Sequence, residues 1–172
     1  MTIERAEAFN FFGPRTLTGP ELKPGDAAPD FSLISNKLET VTKATYVGKP
    51  LLISVVPSLD TGVCSKQTAR FNEEAAGLKS QASFVTVSAD LPFAQARWCG
   101  SNNADDVQTL SDHRDMSFGA AYGTLVGDLR IDSRAVFVVD AAGVIQYAEY
   151  VPVGGQEPDY DLALAALKQV IG

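Results

Sequence analysis

Leu51-Leu52-Ile53-Ser54-Val55-Val56-Pro57-Ser58-Leu59-Asp60-Thr61-Gly62-Val63-Cys64 is an apolar run that breaks into a polar turn carrying one cysteine. Residues 51–56 have the length and branching of a buried strand. Pro57 and Gly62 punctuate the turn, and beyond it Phe71, Ala75 and Leu78 fall at i, i+4 and i+7. That spacing predicts an amphipathic helix ending near Gly77, with Lys66, Arg70 and Glu74 on its solvated face. Thr61 is placed to cap this helix, which puts Cys64 in the first turn. A sulfur there feels the positive end of the helix dipole and nearby unpaired N–H groups, and both favour the nucleophilic thiolate. Free cysteines are also among the most buried of residues. Position alone leaves a reactive and a structural Cys64 equally open.

Downstream, residues 84–88 read as a second buried strand. Strand, crossover helix and strand imply a parallel pair with a right-handed connection. Asp90 and Pro92 signal the start of a helix through Trp98, with Gly100 as its terminator. Residues 107–110 predict a strand and 116–122 a short helix. Residues 134–140 and 144–150 form a hairpin about Ala141-Ala142-Gly143. A closing helix from near Pro158 places Tyr160, Leu164, Leu167 and Ile171 on its buried face. Upstream, a Gly13-Pro14 turn gives an N-terminal hairpin over residues 8–19, followed by a Pro- and Gly-rich connection. Residues 31–34 are a short strand, and 36–48 read as loop with a second short strand at 39–41. No linker separates two domains, so residues 1–172 are expected to form one domain. The order predicts an α/β protein with a mixed central sheet and helices on both faces.

Composition narrows the function. An apolar fraction of 45 % and a charged fraction of 20 % describe an ordinary globular chain, large enough for its own core. A formal net charge of −7 argues against nucleic acid or an anionic membrane as partner. No secretory signal or membrane-spanning run is visible, and two cysteines do not make a secreted disulfide scaffold. A cytoplasmic location is expected, with the cysteines there for chemistry. One histidine and two cysteines match no zinc spacing. His113 lies in a polar stretch and reads as a surface residue, and no G-x-S-x-G elbow offers it a hydrolase triad. Gly119, Gly123 and Gly127 fit neither a P-loop nor a dinucleotide fingerprint. Neither metal nor cofactor is expected.

Pro57, Thr61 and Cys64 form a P-x-x-x-T-x-x-C pattern that resembles the active-site signature of peroxiredoxins. With Ser88-Ala89-Asp90-Leu91-Pro92-Phe93-Ala94-Gln95-Ala96-Arg97-Trp98-Cys99-Gly100, the segment from Pro57 to Cys64 is similar to the thiol peroxidase subfamily of atypical 2-Cys peroxiredoxins. The resemblance covers nearly the whole chain and implies a thioredoxin-like fold with an N-terminal hairpin. It makes Cys64 peroxidatic, with Thr61 holding sulfur and substrate, Pro57 shielding the sulfur from water, and Arg134 stabilising thiolate and leaving oxygen. It makes Cys99, 35 residues further on, the resolving partner in an intramolecular Cys64–Cys99 disulfide. It further implies hydroperoxide substrates, both hydrogen peroxide and organic hydroperoxides, a thioredoxin-type dithiol reductant and a homodimer. Read from the residues alone, Arg134 is equally a solvated strand-end charge and Cys99 a buried thiol. A disulfide needs Cα atoms within about 7 Å, so two helix-anchored thiols imply local unwinding. Two other readings stand beside the peroxidase. A general thiol–disulfide oxidoreductase is weakened by the missing C-x-x-C, and a redox sensor would be oxidised once without turning over.

Overall fold

A computed structural model describes residues 2–172. The chain opens with β1 (Glu4–Asn10) and β2 (Pro14–Thr18), the expected hairpin, turned at Phe12 and Gly13 where φ is positive. Strands β3 (Ser32–Ser35) and β4 (Thr40–Thr42) follow, then a turn of 3₁₀ helix at Lys43–Tyr46 inside the expected loop. β5 (Leu51–Val55), α1 (Gly62–Leu78), β6 (Ser83–Ser88), α2 (Pro92–Asn102) and β7 (Gln108–Ser111) then alternate. After α3 (Ser117–Tyr122) come the two-residue strands β8 (Leu125–Val126) and β9 (Ile131–Asp132). The hairpin of β10 (Arg134–Val139) and β11 (Ile145–Val151) and helix α4 (Tyr160–Val170) close the chain. No described helix is long and apolar enough to cross a membrane.

The main sheet runs β11-β10-β5-β6-β7-β3-β4. β5, β6 and β7 are parallel, as their crossover helices require, and the flanking pairs are antiparallel. Alternate residues of its central strands face opposite ways. Ile53, Val55 and Phe137 meet Phe118 and Tyr122 of α3 on one side. Leu52, Val136 and Val138 meet Phe71 of α1, Trp98 of α2 and Leu164 and Leu167 of α4 on the other. Each large apolar side chain buried there contributes roughly 1.5–3 kcal/mol. On the α1/α2 side the register also lines up three hydroxyls, Ser54 beside Thr86 beside Thr109.

A second sheet, β1-β2-β8-β9, was not legible in the sequence, because strands of two residues carry no period. Its core is Phe9, Leu17 and Val126. Helix boundaries also need correction. α2 passes through Cys99 and Gly100 to Asn102, and the left-handed turn falls on Asn103 (φ 51) instead of Gly100. Its N-cap position belongs to Leu91, since the Asp90 carboxylate is engaged by Ser58, Leu59 and Ser88. In α4, Leu164 and Leu167 are buried together with Ala163, whereas Tyr160 and Ile171 are half-buried.

Two carboxyl groups lie beneath α3. Asp112 accepts from the Phe118 and Gly119 N–H groups at 3.1 and 2.9 Å, and Asp132 accepts from Thr124 Oγ1 at 2.8 Å. Burial pushes Asp112 up to about 6 against those hydrogen bonds. Burial, and then the neighbouring Asp112 charge, holds Asp132 well above the usual carboxylate range. A Cβ on Gly119 would stand 2.6 Å from Asp132 Oδ1, so only glycine lets α3 settle on the pair. The pair fixes β9 two residues ahead of Arg134.

Candidate active site

β5 delivers the chain to the turn that starts α1, and Pro57 is buried within it. Thr61 takes the N-cap position with extended backbone (φ −102, ψ 152), but its side chain does not cap the helix. The hydroxyl donates to the Ser58 carbonyl at 3.1 Å, a bond that closes the turn on itself. Ser65 N–H, onto Thr61 O at 3.0 Å, is the first rung of the helix. The N–H groups of Gly62, Val63 and Cys64 therefore belong to the unladdered, electropositive end. Cys64 sits there with 0 % of its surface exposed.

Arg134 is 1 % exposed, which removes the reading of a solvated strand-end charge. Its Nη2 lies 3.4 Å from Cys64 Sγ and donates to the Gly154 carbonyl at 2.7 Å. Its Nη1 donates to Gln67 Oε1 at 3.0 Å. Gln67 stands three residues after Cys64 on the same helical face and is itself fully buried. Its Nε2 donates to Ser54 Oγ at 2.8 Å, which turns the amide so that its oxygen meets the guanidinium. The partners of the guanidinium are thus a sulfur, a neutral amide and a backbone carbonyl, and no carboxylate pairs with it among the described residues. In so dry a setting its charge acts on the sulfur far more strongly than in water.

The N-terminal hairpin completes the arrangement. Asn10 N–H donates to Pro152 O at 2.7 Å and Gly154 N–H to Asn10 O at 2.9 Å, and this holds the Gly154 carbonyl for Arg134. A Cβ at position 154 would lie 2.5 Å from the Phe11 ring. A cleft lined by Phe11, Phe12, Thr61, Val63, Val153 and Gly154 opens beside the helix start.

The family model described as Redoxin matches residues 23–164. The thiol peroxidase of Bacillus subtilis (strain 168) is 54 % identical over 159 residues, which are 92 % of this chain and 95 % of that one. The thiol peroxidase of Staphylococcus aureus (strain MRSA252) is 54 % identical over 158 residues, with the same shares of 92 % and 95 %. A peroxiredoxin-like protein from Aquifex aeolicus is 39 % identical with a TM-score of 0.88, covering 96 % of this chain and 98 % of that chain.

The chain belongs to the thiol peroxidase family.

In this thiol peroxidase the second cysteine has a different setting. Cys99 is half-buried in the last turn of α2, with Sγ 3.7 Å from Thr109 Oγ1 on β7. Burial pushes its thiol up; the Thr109 hydroxyl opposes that and the Asp105 charge adds to it. It faces a groove bordered by Asn36, Lys37, Thr40, Asp105 and Thr109, which shares no residue with the cleft at Thr61. Both thiols are free. The neighbouring Trp98 donates its indole N–H to Ser65 Oγ at 3.1 Å, tying α2 to the residue after Cys64. His113 is half-buried and lies outside both settings.

The structure thus sets Arg134 beside Cys64 on the helix that the Pro57–Thr61 turn starts, while Cys99, packed against the same core cluster, borders a different groove. Gln67 was missed, although a polar residue on the apolar face of α1 was a signal in plain view. Gly154 acts through a carbonyl, for which a sequence carries no signal.

Proposed function

We propose that this thiol peroxidase reduces hydrogen peroxide and organic hydroperoxides with Cys64 as peroxidatic and Cys99 as resolving cysteine. The Cys64 thiolate attacks one peroxide oxygen, the O–O bond breaks, and Cys64–SOH forms as water or an alcohol leaves. The Cys99 sulfur then attacks the sulfenic sulfur, closing the Cys64–Cys99 disulfide and releasing the hydroxyl with a proton as water. A thioredoxin-type dithiol returns both cysteines to thiols and leaves as its own disulfide. Arg134 stabilises the thiolate and the charge growing on the departing oxygen, as a fixed guanidinium in a dry site can. Thr61, whose hydroxyl proton is committed to Ser58, keeps its oxygen lone pairs for a peroxide O–H. Pro57 offers no N–H and closes the turn against water. The reading takes residues 1–172 as one working unit, a cytoplasmic homodimer.

The observation that carries it is the guanidinium 3.4 Å from a sulfur in the first helical turn of a sealed site. Peroxide consumption with a thioredoxin-type dithiol, followed to many turnovers, tests it, with thiol counting and mass measurement after one peroxide pulse. The expected result is sustained turnover and loss of both thiols to one intramolecular disulfide. Oxidation that stops after one equivalent would make the protein a sensor.

A further inference from the structure

We infer that Asp90 is a positioning residue that couples the turn bearing Thr61 and Cys64 to the foot of the helix bearing Cys99; this rests on the roles proposed above for the two cysteines. Asp90 stands between β6 and α2. Its carboxylate accepts from the Ser58 hydroxyl at 2.7 Å and the Leu59 N–H at 2.8 Å, both in the turn, and from the Ser88 hydroxyl at 2.7 Å on β6. The Asp90 carbonyl takes the Ser111 hydroxyl of β7. Ser88 Oγ in turn accepts from Gln95 Nε2 of α2 at 2.9 Å.

Ser58 meets Oδ1, while Leu59 and Ser88 meet Oδ2, so the carboxylate accepts on both oxygens. An asparagine would keep one acceptor and reverse the bond to Ser58, and it would lose the charge that strengthens all three. The remaining ties between α2 and the Cys64 segment are slighter. Arg97 and Asp60 pair at 3.2 Å with both side chains mostly in water, where such a pair contributes little. Trp98 gives one indole bond to Ser65. α2 is therefore tied to the Cys64 turn by charge at its foot, and beyond the buried Trp98 no hydrogen bond among the described residues joins its last turn to the Cys64 segment. Asp90 is the pivot about which residues 99–102 unwind while the Cys64 turn keeps its shape.

The experiment follows reduced Asp90→Asn and Ser58→Ala after one equivalent of hydrogen peroxide, reading sulfenate formation and disulfide closure separately. Asp90→Asn should slow each step by about 10-fold. Under excess peroxide it should divert Cys64–SOH to sulfinate, one further peroxide supplying the oxygen and leaving as water. Ser58→Ala keeps the carboxylate and should slow both steps less. The double variant should be no slower than Asp90→Asn alone, because both changes cut one connection. Unchanged rates in Asp90→Asn, or effects that simply add in the double variant, would reduce Asp90 to a support of the fold. Should Asp90→Asn fail to fold, Ser58→Ala decides, and normal rates there overturn the coupling. Turnover surviving in Cys64→Ser would strike the proposed function itself. An inert Cys64→Ser beside a normal Asp90→Asn strikes the coupling alone.

Discussion

Cys64 has no exposed surface and a guanidinium nitrogen at 3.4 Å, whereas Cys99 is half-buried with a threonine hydroxyl at 3.7 Å. Burial disfavours the Cys99 thiolate, the Thr109 hydroxyl opposes that, and the Asp105 carboxylate adds to it. Cys64 belongs to a helix anchored by Phe71 and Ala75, while Cys99 lies in a last turn that contains Gly100. The nearby guanidinium and the frayed helix end thus belong to different sulfurs. One site is assembled before a substrate arrives. On the proposed cycle the other must open before its sulfur can reach a partner.

The largest effects separate the two cysteines. Cys64→Ser should lower peroxide turnover by at least about 10⁴-fold while the thermal midpoint stays close to the parent's. Cys99→Ser should instead consume about one equivalent of peroxide per chain and stall as sulfenate or sulfinate, seen by thiol counting and mass. The parent should show a Trp98 fluorescence phase as the disulfide closes, and Cys99→Ser should lack it. Equal loss in both variants would erase the division of labour.

Next comes the field. Arg134→Gln should slow oxidation of Cys64 by about 10²–10³-fold, as loss of a fixed donor in an acyl-transfer site does. Arg134→Lys keeps the charge but cannot reach sulfur, Gln67 and Gly154 together, so it too should be impaired. Alkylation of Cys99 in the same variants should not change. If it slows as much as Cys64 oxidation, the two settings are not independent.

How far these settings could be read beforehand follows the same division. The place of Pro57, Thr61 and Cys64 at a strand–turn–helix junction was legible because a buried strand, a turn and an amphipathic helix all leave local patterns, while their roles came through resemblance. The main sheet was legible for the same reason, from strand lengths and crossover helices. Arg134 was named only through resemblance, since its burial depends on Gln67 and Gly154, which are far from it in sequence. Thr61 was assigned a cap it does not make, because its choice of Ser58 over the helix is set by the shape of the turn. The end of α2 was placed too early, since Gly100 is tolerated inside the helix at about 1 kcal/mol and Asn103 supplies the left-handed residue. The second sheet depends on pairing between residues 17–18 and 125–126, a long-range match with no local trace.

A gentler test uses pH. The folded Cys99 thiol is shifted upward by burial, so at a given pH less of it is thiolate than in the unfolded chain. Alkylation of Cys99 in folded Cys64→Ser protein should therefore rise with pH later than in denaturant. The same sign means that this group's contribution to stability is present below the ordinary thiol range and is lost as pH rises through it. A coincident folded and denatured profile would show that Cys99 is already released.

The smallest effect probes how firmly the sealed side is braced. The buried Asp112–Asp132 pair has folded values above the unfolded ones, so the native state holds protons that the unfolded chain releases. Stability is then lost as pH rises from the ordinary carboxylate range, through about 6 for Asp112 and further for Asp132. A rise from 3.8 to about 6 corresponds to at most about 3 kcal/mol. Asp132→Asn can still accept from Thr124 and can donate to Asp112. It should raise the unfolding midpoint by a few degrees at pH 8 and by nothing at pH 4. A gain of the same size at both pH values would show that no proton is shared.

The row Ser54, Thr86 and Thr109 has a thermal consequence. α2 buries only Pro92, Gln95 and Trp98, and Thr86 and Thr109 set hydroxyls among the apolar Phe84 and Val107 on that face. Opening its last turn exposes little apolar surface, so the heat-capacity change of that opening is small. Global unfolding, which uncovers Phe71, Leu164 and the strands beneath them, carries a large one. The opening of α2 should therefore keep nearly the same equilibrium from cold to warm while the stability of the whole molecule follows its usual dome.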